Sequence, residues 1–245
     1  MKAALLLSGG TGSRMHTDIP KQYIRVAGKM VITYSLETIV NASVIERIYI
    51  VAAKEWHEEI IADAKRHGIC TDKIVDFAIP GISRQSSILN GLRCIVGKQS
   101  ADIENDEISD ADTVLVHDAA RPRLTEAQIN ACVTVLDGHD GVLPVLPMKD
   151  TIYLSKNGRQ VTELLDRSAL FAGQAPELFY LKKYYQANLM LLPARIDRIN
   201  GSTEPAILAG MDIIMIPGDE GNFKITTNAD MERFQELCGM EVKSL

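Results

Sequence analysis

Several features are scarce in this chain, and each scarcity closes off a class of protein. No apolar run approaches the roughly 20 residues of a membrane-spanning helix. The first residues lead straight into a strand pattern, so neither a leader nor an anchor is expected and the reading is a cytoplasmic protein without membrane contact. Cysteine occurs four times, as Cys70, Cys94, Cys132 and Cys238, with no Cys-x-x-Cys pair. That disfavours disulfides and zinc and favours reduced thiols. Positive charge does not dominate: 26 Lys and Arg against 32 Asp and Glu leave a formal charge of −6. A general nucleic-acid binder displays net basic surface, so nucleic acid is not expected as a partner. An anionic small molecule in a local basic pocket stays compatible. Five histidines lack metal-ligand spacing, and His117 reads as structural rather than as an acid or base. No Ser-His-Asp or Cys-His set stands out, and no repeat, low-complexity tract or linker interrupts the chain. A chain of 245 residues, 46% hydrophobic and 24% charged, suffices for one α/β domain over 1–245.

What is present starts at the amino end. Lys2 to Ser8 is a short apolar run of buried-strand length, followed by Gly9-Gly10-Thr11-Gly12-Ser13-Arg14-Met15 and Pro20-Lys21-Gln22. Three glycines let the backbone approach a ligand closely, and N–H groups on such a loop form an anion-binding nest. Arg14 and Lys21 add a planar fork and a point charge, both suited to phosphate. The dinucleotide pattern Gly-x-Gly-x-x-Gly fails at Met15, and Gly-Lys-Ser/Thr is absent.

Beyond this loop, helical spacing over Met30–Val40 and Glu55–His67 alternates with strand-like runs at 47–53 and 73–79. Trp56 and His57 read as packing and surface residues. Ser83 is placed to cap a helix reaching Val96, with Arg84, Ser86 and Ser87 in its first turns, where free N–H groups and hydroxyls either cap or read a ligand. An acidic loop over 99–112 precedes a buried strand, Thr113–Val116, which delivers His117-Asp118-Ala119-Ala120-Arg121-Pro122 at its carboxyl end. Ligands of open α/β sheets sit at such ends, and a carboxylate facing phosphate oxygens there suits Mg²⁺. A helix over 126–136 and a strand over 141–145 follow. Thr151–Ser155 and Gln160–Leu164 then flank Lys156-Asn157-Gly158-Arg159 as a hairpin with no place in a wound sheet. Helices over 181–191 and 204–209, a strand over 211–216 and a closing helix from an Asn228 cap to Leu237 complete the pattern.

The loop motif with Pro20-Lys21-Gln22, together with Val116 to Pro122, resembles the nucleotidylyltransferases of sugar and polyol phosphates. The branch it resembles is that of the cytidylyltransferases acting on methylerythritol 4-phosphate and ribitol 5-phosphate. The resemblance spans essentially the whole chain. It implies a doubly wound, mostly parallel Rossmann-like sheet with an arm near 151–165 that builds a homodimer. It also implies transfer of CMP from CTP to a polyol phosphate with loss of pyrophosphate, and Mg²⁺ held by Asp118. Arg14, Lys21 and Lys224 would act on the phosphates. Ser8, Gly9, Gly10, Thr11, Gly12, Ser13, Gly81, Arg84, Ser87 and Ala119 would bind the nucleotide. Thr151, Arg167, Ser202, Thr203 and Glu204 would bind the acceptor. The pattern is broken where the acceptor should bind. The usual Gln-Thr-Pro-Gln appears as Gln174-Ala175-Pro176-Glu177, the usual Thr-Asp-Asp/Glu as Ser202-Thr203-Glu204, and Gly221 replaces an Asp before Asn222. Asp219 or Glu220 could then supply a second metal ligand. Methylerythritol 4-phosphate is the first choice of acceptor, ribitol 5-phosphate the second, and a ligand-binding relative without turnover the rival from another class.

Overall fold

The apolar runs assemble into a sheet in the computed structural model, which describes residues 1–10, 19–97 and 108–243. The acidic loop expected over 99–112 lies largely outside the described residues. In chain order the strands and helices begin with β1 (Lys2–Leu7), β2 (Arg25–Val26), β3 (Lys29–Met30), α1 (Val31–Asn41), β4 (Arg47–Val51) and α2 (His57–Arg66). Next come β5 (Ile74–Ala78), α3 (Arg84–Val96), β6 (Thr113–Asp118), α4 (Glu126–Val135) and β7 (Gly141–Pro147). The chain continues with β8 (Ile152–Leu154), β9 (Glu163–Leu165), β10 (Phe171–Gly173), β11 (Glu177–Tyr180) and α5 (Leu181–Leu189). It closes with α6 (Glu204–Leu208), β12 (Ile213–Pro217) and α7 (Asn228–Lys243).

β5, β4, β1 and β6 lie side by side and parallel, β11 joins β6 to β7 in antiparallel sense, and β12 runs parallel to β7. Only β10 and β11 oppose the common direction, so the sheet is mostly parallel, as expected. From β1 the chain winds outward through β4 and β5, then crosses back by α3 to β6 on the other side of β1. The carboxyl ends of β1 and β6 therefore flank a topological switch point, where open α/β sheets bind ligands.

Alternation along the strands feeds two cores. Ala4, Leu6 and Leu115 pack under α1, α2 and α4, whereas Ala3, Leu5, Val114 and Val116 pack under α3 and α5. Helix α7 closes a smaller cluster with Val26, Val31 and Ile225. Among the described residues no helix is long and apolar enough to cross a membrane.

Two local expectations are corrected, and one stretch without a local signal proves to be strand. The stretch from Phe171 to Tyr180 contains two strands that its Gln-Ala-Pro interruption concealed, because β11 is short and opens on an acid. The closing helix is capped by Thr227 rather than Asn228: Thr227 Oγ1 accepts from Asp230 N and the Asp230 carboxylate accepts from Thr227 N. The hairpin pairs Ile152 with Leu165 and Leu154 with Glu163, so its legs are shorter and its loop longer than the Asn-Gly rule implies. The Asn157 side chain accepts from both Arg159 N and Gln160 N, folding the tip as a separate turn that does not continue the ladder.

Candidate active site

The amino-end loop is built by its neighbours. Gln22 Nε2 donates to the carbonyls of Ser8 (2.6 Å) and Gly10 (2.7 Å), fixing the first two glycines from below. Tyr23 Oη donates to the Ser8 carbonyl at 2.9 Å, and its ring stacks on Trp56 with centroids 4.1 Å apart. The motif gave Gln22 no role and Tyr23 was not singled out; Trp56 is the packing residue expected. Gly9 is needed for space, since a Cβ there would lie 2.6 Å from the Pro80 ring. The two loops that face each other across the cavity thus touch at their bases.

The opposite wall is the start of α3. Ser83 and Ser86 form a reciprocal capping box, and Ser83 Oγ also donates to Asp197 at 2.7 Å. Ser87 Oγ donates to the Ser83 carbonyl and accepts from Gly81 N at 3.0 Å. It therefore shapes the 81–83 turn from within the helix. Between the walls lies a cavity of about 380 Å³ lined by Ser8, Gly9, Gly10, Lys21, Gly81, Arg84, Ser87, Asp118 and Lys224, with Ile82 and Ala120 at its margins.

A chain of charges crosses this cavity. Arg84 donates from Nη2 (2.9 Å) and Nε (3.3 Å) to Asp118 Oδ1, and Lys224 Nζ donates to Asp118 Oδ2 at 2.8 Å. Burial opposes ionisation of Asp118, yet the two cations hold its pKa far below the usual carboxylate range. Lys224 arrives from a distant part of the sequence. Its segment is pinned by Ile225 N on the Ala120 carbonyl, Arg121 Nη1 on the Asn222 carbonyl and Asn222 Nδ2 on the Ala175 carbonyl. His117, one residue before Asp118, points to the other face, is fully buried and meets the Arg121 carbonyl through Nε2 at 3.0 Å.

Not every expected residue comes to the cavity. Ala119 is fully buried in the core under α1 and α4, and Ala120 takes the lining position, because alternation at the end of β6 turns the two side chains apart. Ser202 and Thr203 are buried beside Glu177, behind Arg84, and Glu204 accepts from Asn200 N to close its own loop. Thr151 and Arg167 are exposed at the base of the hairpin, where Arg167 Nη1 donates to the Lys149 carbonyl. Neither lines the cavity of its own chain. Thr11, Gly12, Ser13 and Arg14 lie outside the described residues.

The suggested second metal ligands are engaged elsewhere: Asp219 accepts from Gly221 N at 2.7 Å and Glu220 pairs with Lys149. Among the described residues no cluster of three or more His, Cys, Asp or Glu could hold a metal by itself. A divalent ion that shares phosphate oxygens needs less, because Mg²⁺ commonly takes one or two carboxylates, waters and substrate phosphates. Asp118, a hard donor kept ionised at the cavity wall, fits that arrangement.

The residue that sequence reasoning overlooked is Glu177, noted only as a departure from a pattern. It is 7% exposed, its Oε2 is buried without a hydrogen bond, and burial raises its pKa. Glu177, which stands where the pattern has Gln, and Thr203, where it has Asp, lie side by side.

The chain is similar to known proteins along most of its length. The family model for IspD, 2-C-methyl-D-erythritol 4-phosphate cytidylyltransferase, matches residues 3–238. The enzyme of that name from Rubrobacter xylanophilus is 32% identical over 93% of this chain and 90% of its own length. The ribitol-5-phosphate cytidylyltransferase of Lactiplantibacillus plantarum is 29% identical over 93% of this chain and 94% of its own. The bifunctional IspD/IspF of Maricaulis maris is 31% identical over 94% of this chain, which spans about half (55%) of that longer protein. Among solved structures, the cytidylyltransferase of Francisella tularensis superposes with a TM-score of 0.75 at 24% identity, over 96% of this chain and 99% of its own. At that identity the superposition speaks for the fold alone.

Proposed function

This chain belongs to the 2-C-methyl-D-erythritol 4-phosphate cytidylyltransferase family, and from that premise we propose that it transfers CMP from CTP to methylerythritol 4-phosphate, releasing pyrophosphate. The observation that carries this reading is the line Arg84–Asp118–Lys224 across a cavity whose far wall is the Gly9–Gly10 backbone.

The acceptor's phosphate monoester is already a competent nucleophile near neutral pH, so no general base is required. What limits the reaction is repulsion between anions and the alignment of attacking oxygen, α-phosphorus and leaving pyrophosphate. Positioned charge addresses both. Lys21 and Lys224 line the cavity from opposite ends of the sequence and supply cations to the triphosphate. The turn from Gly81 to Ser83, held by Ser87, offers backbone groups to the nucleoside end. Asp118 would hold Mg²⁺ together with phosphate oxygens, and the ion would neutralise charge developing on them.

Ribitol 5-phosphate is the second reading. It is favoured by the Lactiplantibacillus plantarum relative, matched over nearly its whole length, and by Ala175, which removes a hydroxyl from the acceptor side. Pyrophosphate release measured with CTP and a panel of polyol phosphates separates these readings. Release with none of them would overturn both and leave a ligand-binding relative.

The proposal includes a homodimer. β8 and β9 pair only with each other among the described residues, and they expose Tyr153, Leu154 and Leu164. A two-stranded hairpin is marginal in water by itself. Packing on a second copy would bury those side chains and carry Thr151 and Arg167 to the neighbour's acceptor site.

A further inference from the structure

We propose that Glu177 is a positioning residue that serves as the second seat of the Arg84 guanidinium, keeping it over the cavity when substrate takes up Asp118. The inference rests on the cytidylyl-transfer reading and concerns how this chain keeps its site ordered during loading.

The register places the groups. Glu177 stands opposite Val116 in the β11–β6 ladder, and side chains alternate along a strand, so Glu177, Val116 and Asp118 share one face of the sheet. That is the face under α3, the helix that begins with Arg84. Diagonal neighbours of this kind lie roughly 7–8 Å apart. A single guanidinium above them faces both carboxylates.

Occupancy at present is one-sided. Both hydrogen bonds from Arg84 go to Asp118 Oδ1, and Lys224 occupies Oδ2. A metal ion reaching Asp118 has to displace at least one of these cations. Phosphates draw Lys224 into the cavity, but Arg84 is anchored to the first turn of α3 and has less freedom. Directly behind it lies Glu177 with a buried, unbonded Oε2, which by ordinary accounting is a costly state for an acid.

Other polar groups also face Glu177. Ser202 and Thr203 turn their hydroxyls to the carboxyl and favour its charged form. Tyr184 Oη is committed to the Ser202 carbonyl at 2.7 Å, and Cys132 Sγ leans on the Pro176 carbonyl. Arg121, a second cation within electrostatic reach, donates Nη1 to the Asn222 carbonyl and keeps a buried Nε without a partner. Of these groups Arg84 alone also lines the cavity, so it is the one that can pass between Asp118 and Glu177. Although burial works against its charge, Asp118 and Glu177 together push its pKa above the ordinary value.

The test follows the guanidinium itself. In full-length protein labelled with ¹⁵N-arginine, the Arg84 Nε–H resonance is identified by its absence from Arg84→Lys. Addition of Mg²⁺ and CTP without acceptor should shift this resonance while leaving it protected from exchange with water. In Glu177→Gln, which keeps shape and hydrogen-bonding capacity, the free protein should match wild type. Its loaded form should exchange at least about tenfold faster, and the Mg²⁺ concentration for half-maximal pyrophosphate release should rise about tenfold, the low end for loss of a group supporting a metal ligand. Equal exchange in the two loaded proteins, or a fall in kcat that is the same at every Mg²⁺ concentration, would overturn the proposal. Should the variant not fold, loss of Arg84 protection in loaded wild type overturns it equally. Wild type that releases no pyrophosphate from CTP sinks the reaction and this proposal together, whereas release with unprotected Arg84 sinks this proposal alone.

Discussion

His117 shows how much one side chain contributes without touching the cavity. Its Nε2 donates to the Arg121 carbonyl, which makes Nδ1 the acceptor nitrogen, and Nδ1 is buried without a donor. Burial pushes the pKa down to about 4, and the hydrogen bond to the Arg121 carbonyl and the nearby Asp118 charge only partly oppose it. The unfolded chain accepts a proton near pH 6.5, which the folded chain refuses until about pH 4. Stability is therefore full above pH 6.5 and falls as pH drops toward 4, by about 3 kcal/mol from this group. Urea unfolding at pH 7 and 4.5 should show that slope in wild type and a flatter one in His117→Gln. An imidazole found by NMR to titrate near 6.5 would contradict the assignment. At the same scale, Asp118→Asn should lower turnover by roughly two orders of magnitude or more, as expected when charge is removed from a preorganised site. A folded Asp118→Asn protein with wild-type turnover would remove Asp118 from the mechanism.

At the scale of elements, α3 decides where the charges sit. The capping box fixes its start and Gly97, in the left-handed region at φ 70°, ends it. Gly91 lets it lie close on β1, since a Cβ there would run into the Leu5 side chain. Gly91→Ala should therefore push the helix off the sheet, cost about 1–3 kcal/mol by overpacking and reduce turnover, although residue 91 lies about one turn beyond Ser87 and does not line the cavity. Thermal denaturation and kcat measured on the same preparation check this. Unchanged stability would mean that the helix shifts freely and that its packing does not set the position of Arg84. The cap of α7 is a smaller case: Thr227→Ala should cost about 1 kcal/mol with little change in turnover, because its hydroxyl serves Asp230 N rather than the cavity.

For the whole molecule, the switch point between β1 and β6 brings residues from both ends of the chain to one cavity, while the β8–β9 hairpin points its apolar groups outward. A homodimer with shared sites makes a specific expectation. On that proposal Lys21→Ala would disable the cavity, and Arg167→Ala would disable the arm's contribution to its neighbour. Each homodimer should be inactive, yet mixed heterodimers should regain activity because one composite site is intact. Sedimentation that finds a monomer, or verified heterodimers that stay inactive, would rule out the shared site.

Some of this was legible in the residues alone. The apolar run from Lys2, the glycines after it and the buried strand ending in Asp118 are local patterns, and local patterns fix elements and the ends at which ligands gather. The cation at Lys224 was placed by resemblance only, because a contact spanning 106 residues has no local trace. Glu177 and β11 escaped for a related reason. An acid beside Gln-Ala-Pro reads as loop, and only its pairing with β6 buries it on the face that carries Asp118. The Asn157-Gly158 turn was visible, but its register was not, because the Asn157 side chain spends its hydrogen bonds inside the tip. The sequence by itself determined which residues carry charge, where the chain turns and which side of each strand is apolar, since those follow from side-chain chemistry and short-range sterics. Which cations meet which carboxylates was decided by tertiary structure alone, because β11 enters the sheet between β6 and β7 and α3 packs across it.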